Sequence, residues 1–152
     1  MSEASEVISH REILARLPHR PPFLLLDRAD HFVSGQSITG YKAVTWTEPC
    51  FQGHFPDNPV FPGVMIIEAM AQTGALLMTK TLDVSGHDTT IYFMGIEKAR
   101  FKRPVRPGDV MTMPVEIIVS KRGIFKFHGR VLVSDQLVTE CEFSATAQKT
   151  NA

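Results

Sequence analysis

Residues 53–79 read GHFPDNPVFPGVMIIEAMAQTGALLMT, and the change of character at Pro62 decides the fold. The stretch 48–62 is crowded with proline, glycine and aromatics, which favours a shaped loop over a regular element. Pro62 suits the first turn of a helix, because the N–H it lacks would have no intrahelical partner. The helix it opens runs to about Thr81, and Val64, Met65, Ile66, Ile67, Met70, Leu76, Leu77 and Met78 leave it almost no polar face. A helix apolar on every side has to be surrounded.

The surrounding material is legible on both flanks. Ile13, Leu14 and Leu17 recur at helical spacing over residues 11–17, and Pro18 stops that short helix. Strands are predicted at 23–33 and 37–47, with Ser34-Gly35-Gln36 as the turn of a hairpin. Further strands are predicted at 89–103, 109–121, 124–134 and 137–148, with Gly123 and Asp135-Gln136 at the tighter connections. One buried helix with several long antiparallel strands predicts an α+β fold, a curved sheet wrapped around the helix. The 152 residues suffice for one domain with a real core and are too few for two.

Sixteen Lys plus Arg balance sixteen Asp plus Glu, so no global field points to nucleic acid or to a membrane surface. Cys50 and Cys141 form neither a metal-binding spacing nor a disulfide framework, in keeping with a reducing cytoplasm. The first residues, MSEASEVISHREILARL, lack the basic region and long apolar core of a secretory signal. The longest apolar stretch is interrupted by Glu68 and Gln72 and is short for a membrane span.

Glu68 is the only charged residue between Asn58 and Thr79, set among residues that would exclude water. Burial without a compensating cation favours the protonated form of a carboxyl group, which suits proton donation to a leaving hydroxyl. A structural carboxylate bonded to its neighbours is the alternative. Gln72, four residues on, shares its helical face and either orients Glu68 or makes a plain core hydrogen bond. His54 lies in Gly53-His54-Phe55-Pro56, a restricted loop where an imidazole serves either as a general base or as a tie within the loop. His10, His19, His31, His87 and His128 show no comparable setting. At Pro62-Gly63-Val64, unpaired amides of a helix start are able to polarise a carbonyl, and glycine allows close approach. Together Gly63, His54 and Glu68 meet the needs of a β-elimination: a polarised thioester carbonyl, a base for the α-hydrogen and an acid for the departing hydroxyl. No metal or redox cofactor is required, and the apolar helix offers walls for an acyl chain.

Three ordered motifs, LPHRPPFLLLDR at 17–28, GHFPDNPVFPGVMIIEAMAQTGALL at 53–77 and GIEKARFKRPVRPGD at 95–109, resemble the FabZ-type β-hydroxyacyl-acyl-carrier-protein dehydratases of bacterial type II fatty-acid synthesis. The resemblance covers nearly the whole chain, leaving about residues 1–9 as a variable N-terminal tail. It implies a hotdog fold within one domain spanning 1–152, and a homodimer assembled into a hexamer as a trimer of dimers. It also implies that His54 and Glu68 are catalytic, that the helix-start amide at Gly63 holds the thioester carbonyl with Val64 beside it, and that each site draws histidine and glutamate from different subunits. Related dehydratase-isomerases carry aspartate where this chain has Glu68, which favours simple dehydration. A hotdog acyl-thioesterase and a noncatalytic acyl-carrier-binding module are the competing readings.

The implied partner is acyl carrier protein, whose phosphopantetheine arm brings the substrate. Lys98, Arg100 and Lys102 recur with strand period, followed by Arg103, Arg106 and Arg122; they form either a docking edge for that acidic partner or a solvated basic edge. Tyr92 and Phe93 either line or gate the tunnel, or pack as core aromatics.

Overall fold

The computed structural model describes residues 5–150. Its elements follow in the order α1 (His10–Arg16), β1 (Arg28–Val33), β2 (Ser37–Ala43), a 3-10 turn (Pro49–Gln52), α2 (Gly63–Leu82), β3 (Thr89–Phe101), β4 (Val110–Lys121), β5 (Ile124–Val133) and β6 (Gln136–Lys149). The strands make one antiparallel sheet in the order β1-β2-β4-β5-β6-β3. Helix α2 packs against β2, β3, β4, β5 and β6, so the sheet has to curl around it. That is the expected α+β hotdog arrangement.

Strand periodicity supplies the inner face. Met111, Met113 and Val115 of β4, Phe125 and Phe127 of β5, and Cys141, Phe143 and Ala145 of β6 are all buried, two residues apart along each strand. The helix comes close to this face because Gly74 is bare: a Cβ there would stand 2.7 Å from the Phe143 ring. Two-residue turns close both C-terminal hairpins, with Arg122 at φ 54° and Gly123 at 77°, then Ser134 at 49° and Asp135 at 64°. Consecutive left-handed residues match the twist of the strands they join. The second turn therefore sits one residue earlier than Asp135-Gln136.

Several boundaries differ from the sequence expectation, each with a local cause. The first strand starts at Arg28 instead of near Phe23, because the Gln72 side chain takes over the backbone there. It accepts from the Leu25 N–H at 2.8 Å and donates to the Phe23 carbonyl at 2.8 Å. Strand β2 ends at Ala43 because the facing Asp109 turns its amide to the Arg106 carbonyl at 3.1 Å, leaving the Val44 carbonyl to the Gly108 N–H at 2.8 Å. Of the N-terminal tail, residues 1–4 lie outside the described residues, whereas Ile8 is buried and bridges to Ala29, and Ser9 caps α1. Finally, α2 is fully surrounded only over Ala69–Thr79, and in its first turn Val64 is 75% exposed.

Candidate active site

His54 hangs in the loop between the 3-10 turn and α2. Its backbone N–H bonds to the Cys50 carbonyl at 3.0 Å, while Phe55 and Asn58 exchange backbone bonds of 3.1 and 3.0 Å across the tip. The His54–Phe55 peptide bond is cis, and the two rings stack 4.1 Å apart. His54 Nδ1 lies 2.6 Å from the Val60 carbonyl oxygen. A carbonyl only accepts, so Nδ1 carries the hydrogen and the neutral ring presents Nε2 as a bare lone pair. From outside the loop, Arg106 Nη1 donates to Asn58 Oδ1 at 2.7 Å and to the Pro59 carbonyl at 3.2 Å.

Glu68 belongs to a different cluster. Gln72 sits one turn further along α2, fully buried, and its orientation is fixed by the two backbone groups of the 20–26 segment that it bridges. Its remaining N–H therefore points at Glu68, donating to Oε1 at 2.8 Å. Of the two readings given for Gln72, both describe it at once. The Glu68 side chain is 25% exposed, so the expectation of a water-excluded carboxyl does not hold within one chain. Val64, one turn earlier on the same face, is barer still.

The start of α2 forms the third part. Met65 and Ile66 donate to the Pro62 carbonyl at 2.9 and 3.1 Å, which leaves the amides of Gly63 and Val64 as the open donors of the helix. Beside them runs a groove of about 420 Å³ lined by Val60, Gly63, Ile66, Phe101 and Arg103 among others. Gly63 is needed there for packing as well as for access: a Cβ would stand 2.6 Å from the Phe101 ring. Val60 thus joins two tasks, aiming His54 and walling the groove.

Five residues along an α-helix turn through about 140°. Gly63 and Glu68 accordingly look out from different sides of α2, and among the described residues no hydrogen bond or ion pair joins His54 to Glu68. Within one chain these residues fall into two groups: His54 with Val60 beside the helix start, and Glu68 with Gln72.

His19 is the residue the sequence reading passed over. Its Nε2 lies 3.8 Å from Glu68 Oε1 and its Nδ1 is buried without a hydrogen-bond partner. The signal was present, since His19 falls inside the first of the three motifs.

The other candidates are dispersed. Phe93 is half-buried and meets Phe143 edge-on at 5.9 Å, whereas Tyr92 stands exposed on β3, an edge strand of the sheet. The strand-period basic row is broken by a bulge between Glu97 and Arg100, with Lys98 in the left-handed region at φ 53°. Lys98 pairs with Glu142 at 3.6 Å and Lys102 with Glu140 at 3.9 Å, so β6 neutralises much of that row. Lys102 and Arg103 reach the groove beside Gly63, and Arg122 lies in the distant β4–β5 turn. Burial pushes up the thiol of Cys50, and that of Cys141 to about 11. Among the described residues no group of three or more His, Cys, Asp or Glu is placed to hold a metal ion.

Residues 17–142 match the family model described as a FabA-like domain. The chain is 57% identical over 139 residues to the 3-hydroxyacyl-[acyl-carrier-protein] dehydratase FabZ of Caulobacter vibrioides, covering 91% of this chain and 87% of that protein. It is 50% identical to the protein of the same name from Variovorax paradoxus, covering 92% and 94%. Among solved structures it is similar to the dehydratase heterocomplex ApeI:P of Xenorhabdus doucetiae, with TM-score 0.74, 18% identity and 91% of each chain covered. It is also similar to a thioesterase of Haemophilus influenzae, with TM-score 0.56, 18% identity and coverage of 77% and 75%. At such identities the two structures speak for the hotdog fold alone.

Proposed function

The chain belongs to the FabA-like family, among its 3-hydroxyacyl-[acyl-carrier-protein] dehydratases, and from that premise we infer that His54, Glu68 and the start of α2 form its active site. It is a hydro-lyase of fatty-acid synthesis that removes water from 3-hydroxyacyl groups on acyl carrier protein. The observation that carries the site assignment is the 2.6 Å bond from His54 Nδ1 to the Val60 carbonyl, which fixes Nε2 as the basic atom.

The thioester carbonyl is placed at the open amides of Gly63 and Val64, where the helix dipole also favours developing negative charge. His54 Nε2 takes the α-proton, and the electrons of that C–H bond form the new C=C double bond as the β-hydroxyl departs. Glu68 gives the departing oxygen a proton and water leaves. Gln72 occupies Oε1 of Glu68, so Oε2 is the oxygen that hands the proton over. Return of the proton from the imidazolium to the carboxylate, through solvent, restores both groups. The thioester itself takes up the transient charge, so no metal or redox cofactor enters the scheme.

The half-sites are completed by a second copy of the chain. Strand β3 is an unpaired edge carrying exposed Tyr92, Met94 and Ile96, an apolar edge that invites another strand. Pairing through β3 buries this edge, and three such dimers give the hexamer that the resemblance implies. Lys102 and Arg103 at the groove mouth, with Arg100 nearby, are assigned to attracting the acidic carrier protein and its phosphopantetheine arm. No helix among the described residues is long and apolar enough to cross a membrane. We assign the enzyme to the cytoplasm on the ground of its carrier-borne substrate.

The test is turnover of a purified (3R)-hydroxyacyl carrier-protein thioester. Reversible formation of the trans-2-enoyl product is expected, and release of free fatty acid without it would overturn the reading in favour of a thioesterase. His54→Ala and Glu68→Gln should each stay folded and lose at least about a hundredfold in kcat. A folded variant with normal turnover removes that residue from the catalytic set.

A further inference from the structure

The loop between α1 and β1 brings a second histidine to the acid half-site. Arg20 holds this loop from within, donating to the carbonyls of Leu17 at 2.9 Å, His19 at 2.6 Å and Leu14 at 2.9 Å. From outside, Gln72 clamps Phe23 and Leu25. The His19 ring is confined between these restraints, stacked on Phe23 with centroids 6.4 Å apart and facing Glu68.

The two ring nitrogens differ in what they meet. Nδ1 is buried with no hydrogen-bond partner, and Nε2 faces a carboxylate oxygen. Nδ1 is left unpartnered in either neutral tautomer, so Nε2 decides between them. A lone pair on Nε2 would face an acceptor oxygen, whereas a hydrogen there faces Glu68 Oε1 as a donor, and the neutral ring with its hydrogen on Nε2 is the form these contacts favour. At 3.8 Å the pair is beyond hydrogen-bond reach, but such contacts at catalytic sites are often long before substrate binds and tighten in the complex.

We propose that His19 is a positioning residue for Glu68: its Nε2–H and the Gln72 amide form a two-donor cradle around Oε1, leaving Oε2 to donate the proton. The proposal rests on the dehydratase reading of this site and extends it to a residue on another segment. It also gives the 17–28 motif a chemical task beyond packing, since the loop carries both the ring and the backbone groups that orient Gln72.

The experiment is a double-mutant cycle in the full-length enzyme with a carrier-protein substrate. His19→Leu keeps bulk but removes the donor, and His19→Gln restores an N–H near the position of Nε2. We expect His19→Leu to lower kcat about tenfold with KM within about twofold, and His19→Gln to recover most of the loss. Glu68→Asp draws the carboxyl back out of reach of His19 while keeping an acid, so adding His19→Leu to that background should cost little more. A full-strength loss in both backgrounds, no loss in either, or a loss confined to KM would overturn the proposal. If His19→Leu does not fold, the comparison of His19→Gln with wild type decides: kcat lower by tenfold or more in a folded His19→Gln counts against a role that any N–H donor fills. Failure of the site reading itself shows separately, as normal turnover by Glu68→Gln.

Discussion

In the site we propose, two histidines are held in opposite tautomers, each by one neighbour. The Val60 carbonyl puts the hydrogen of His54 on Nδ1, whereas the Glu68 oxygen facing the ring of His19 puts its hydrogen on Nε2. The first leaves a lone pair for taking a proton, the second an N–H for holding an oxygen. His19 also makes a prediction about stability. Its pKa lies below the usual 6.5, chiefly through burial, with Glu68 pulling it up and Arg20 pushing it down. The folded protein therefore binds this proton less readily than the unfolded chain. The stability contributed by the neutral ring is present above the unfolded value and is lost as the pH falls through the lower folded value. Urea titrations of wild type and His19→Gln should diverge as the pH falls below the ordinary histidine value of 6.5, with wild type losing more. Parallel decline of the two would show that His19 is not the titrating group.

The elements that carry these residues are tied together at their ends. Arg16, in the last turn of α1, reaches the C-terminal end of α2. It donates to the Val84 carbonyl at 3.0 Å and the Thr79 carbonyl at 3.5 Å, and pairs with Asp83 at 3.0 Å. A guanidinium at this position complements the helix dipole, gives the Val84 carbonyl just beyond α2 a donor, and adds to the Val84 N–H that already bonds the Thr79 carbonyl at 3.0 Å. Beside it, Lys80 meets Glu12 at 2.5 Å. We predict that Arg16→Met lowers the unfolding free energy by about 1–2 kcal/mol in urea titrations. Because α1 is continuous with the loop bearing His19, the variant should also slow dehydration. Unchanged stability would mean the Arg16 contacts are no better than its contacts with water. At the opposite end of the sheet the buried Lys42–Glu48 pair, 2.6 Å apart, fixes β2 to the start of the loop that carries His54. Such a pair contributes direction more than net stability.

At the scale of the whole molecule, the proposed site makes catalysis a property of two chains. If each site joins His54 of one subunit to Glu68 of the other, a mixed dimer of His54→Ala and Glu68→Gln chains holds one intact site and one doubly damaged site. Refolding the two inactive variants together in equal amounts should then restore about a quarter of wild-type activity, since half the dimers are mixed and each mixed dimer has one working site of two. No recovery from mixtures shown to exchange subunits would place both groups in the same chain. In the dimer we propose, the partner would cover the first turns of α2 and dry the site, so that Glu68, 25% exposed in one chain, would become a water-excluded proton donor.

What the sequence determined by itself was the part governed by local rules. Pro62 and the apolar run after it specify α2, period-two burial and left-handed turns specify the sheet, and three ordered motifs single out His54, Gly63 and Glu68. Only the tertiary structure decided which groups stand together. It brought His19 to Glu68 across 49 residues of chain and gave Gln72 a backbone clamp. It also made Val60 the orienting group of His54 and let the acids of β6 neutralise Lys98 and Lys102. Such pairings depend on where distant segments come to rest in space, and spacing along a chain does not carry that information.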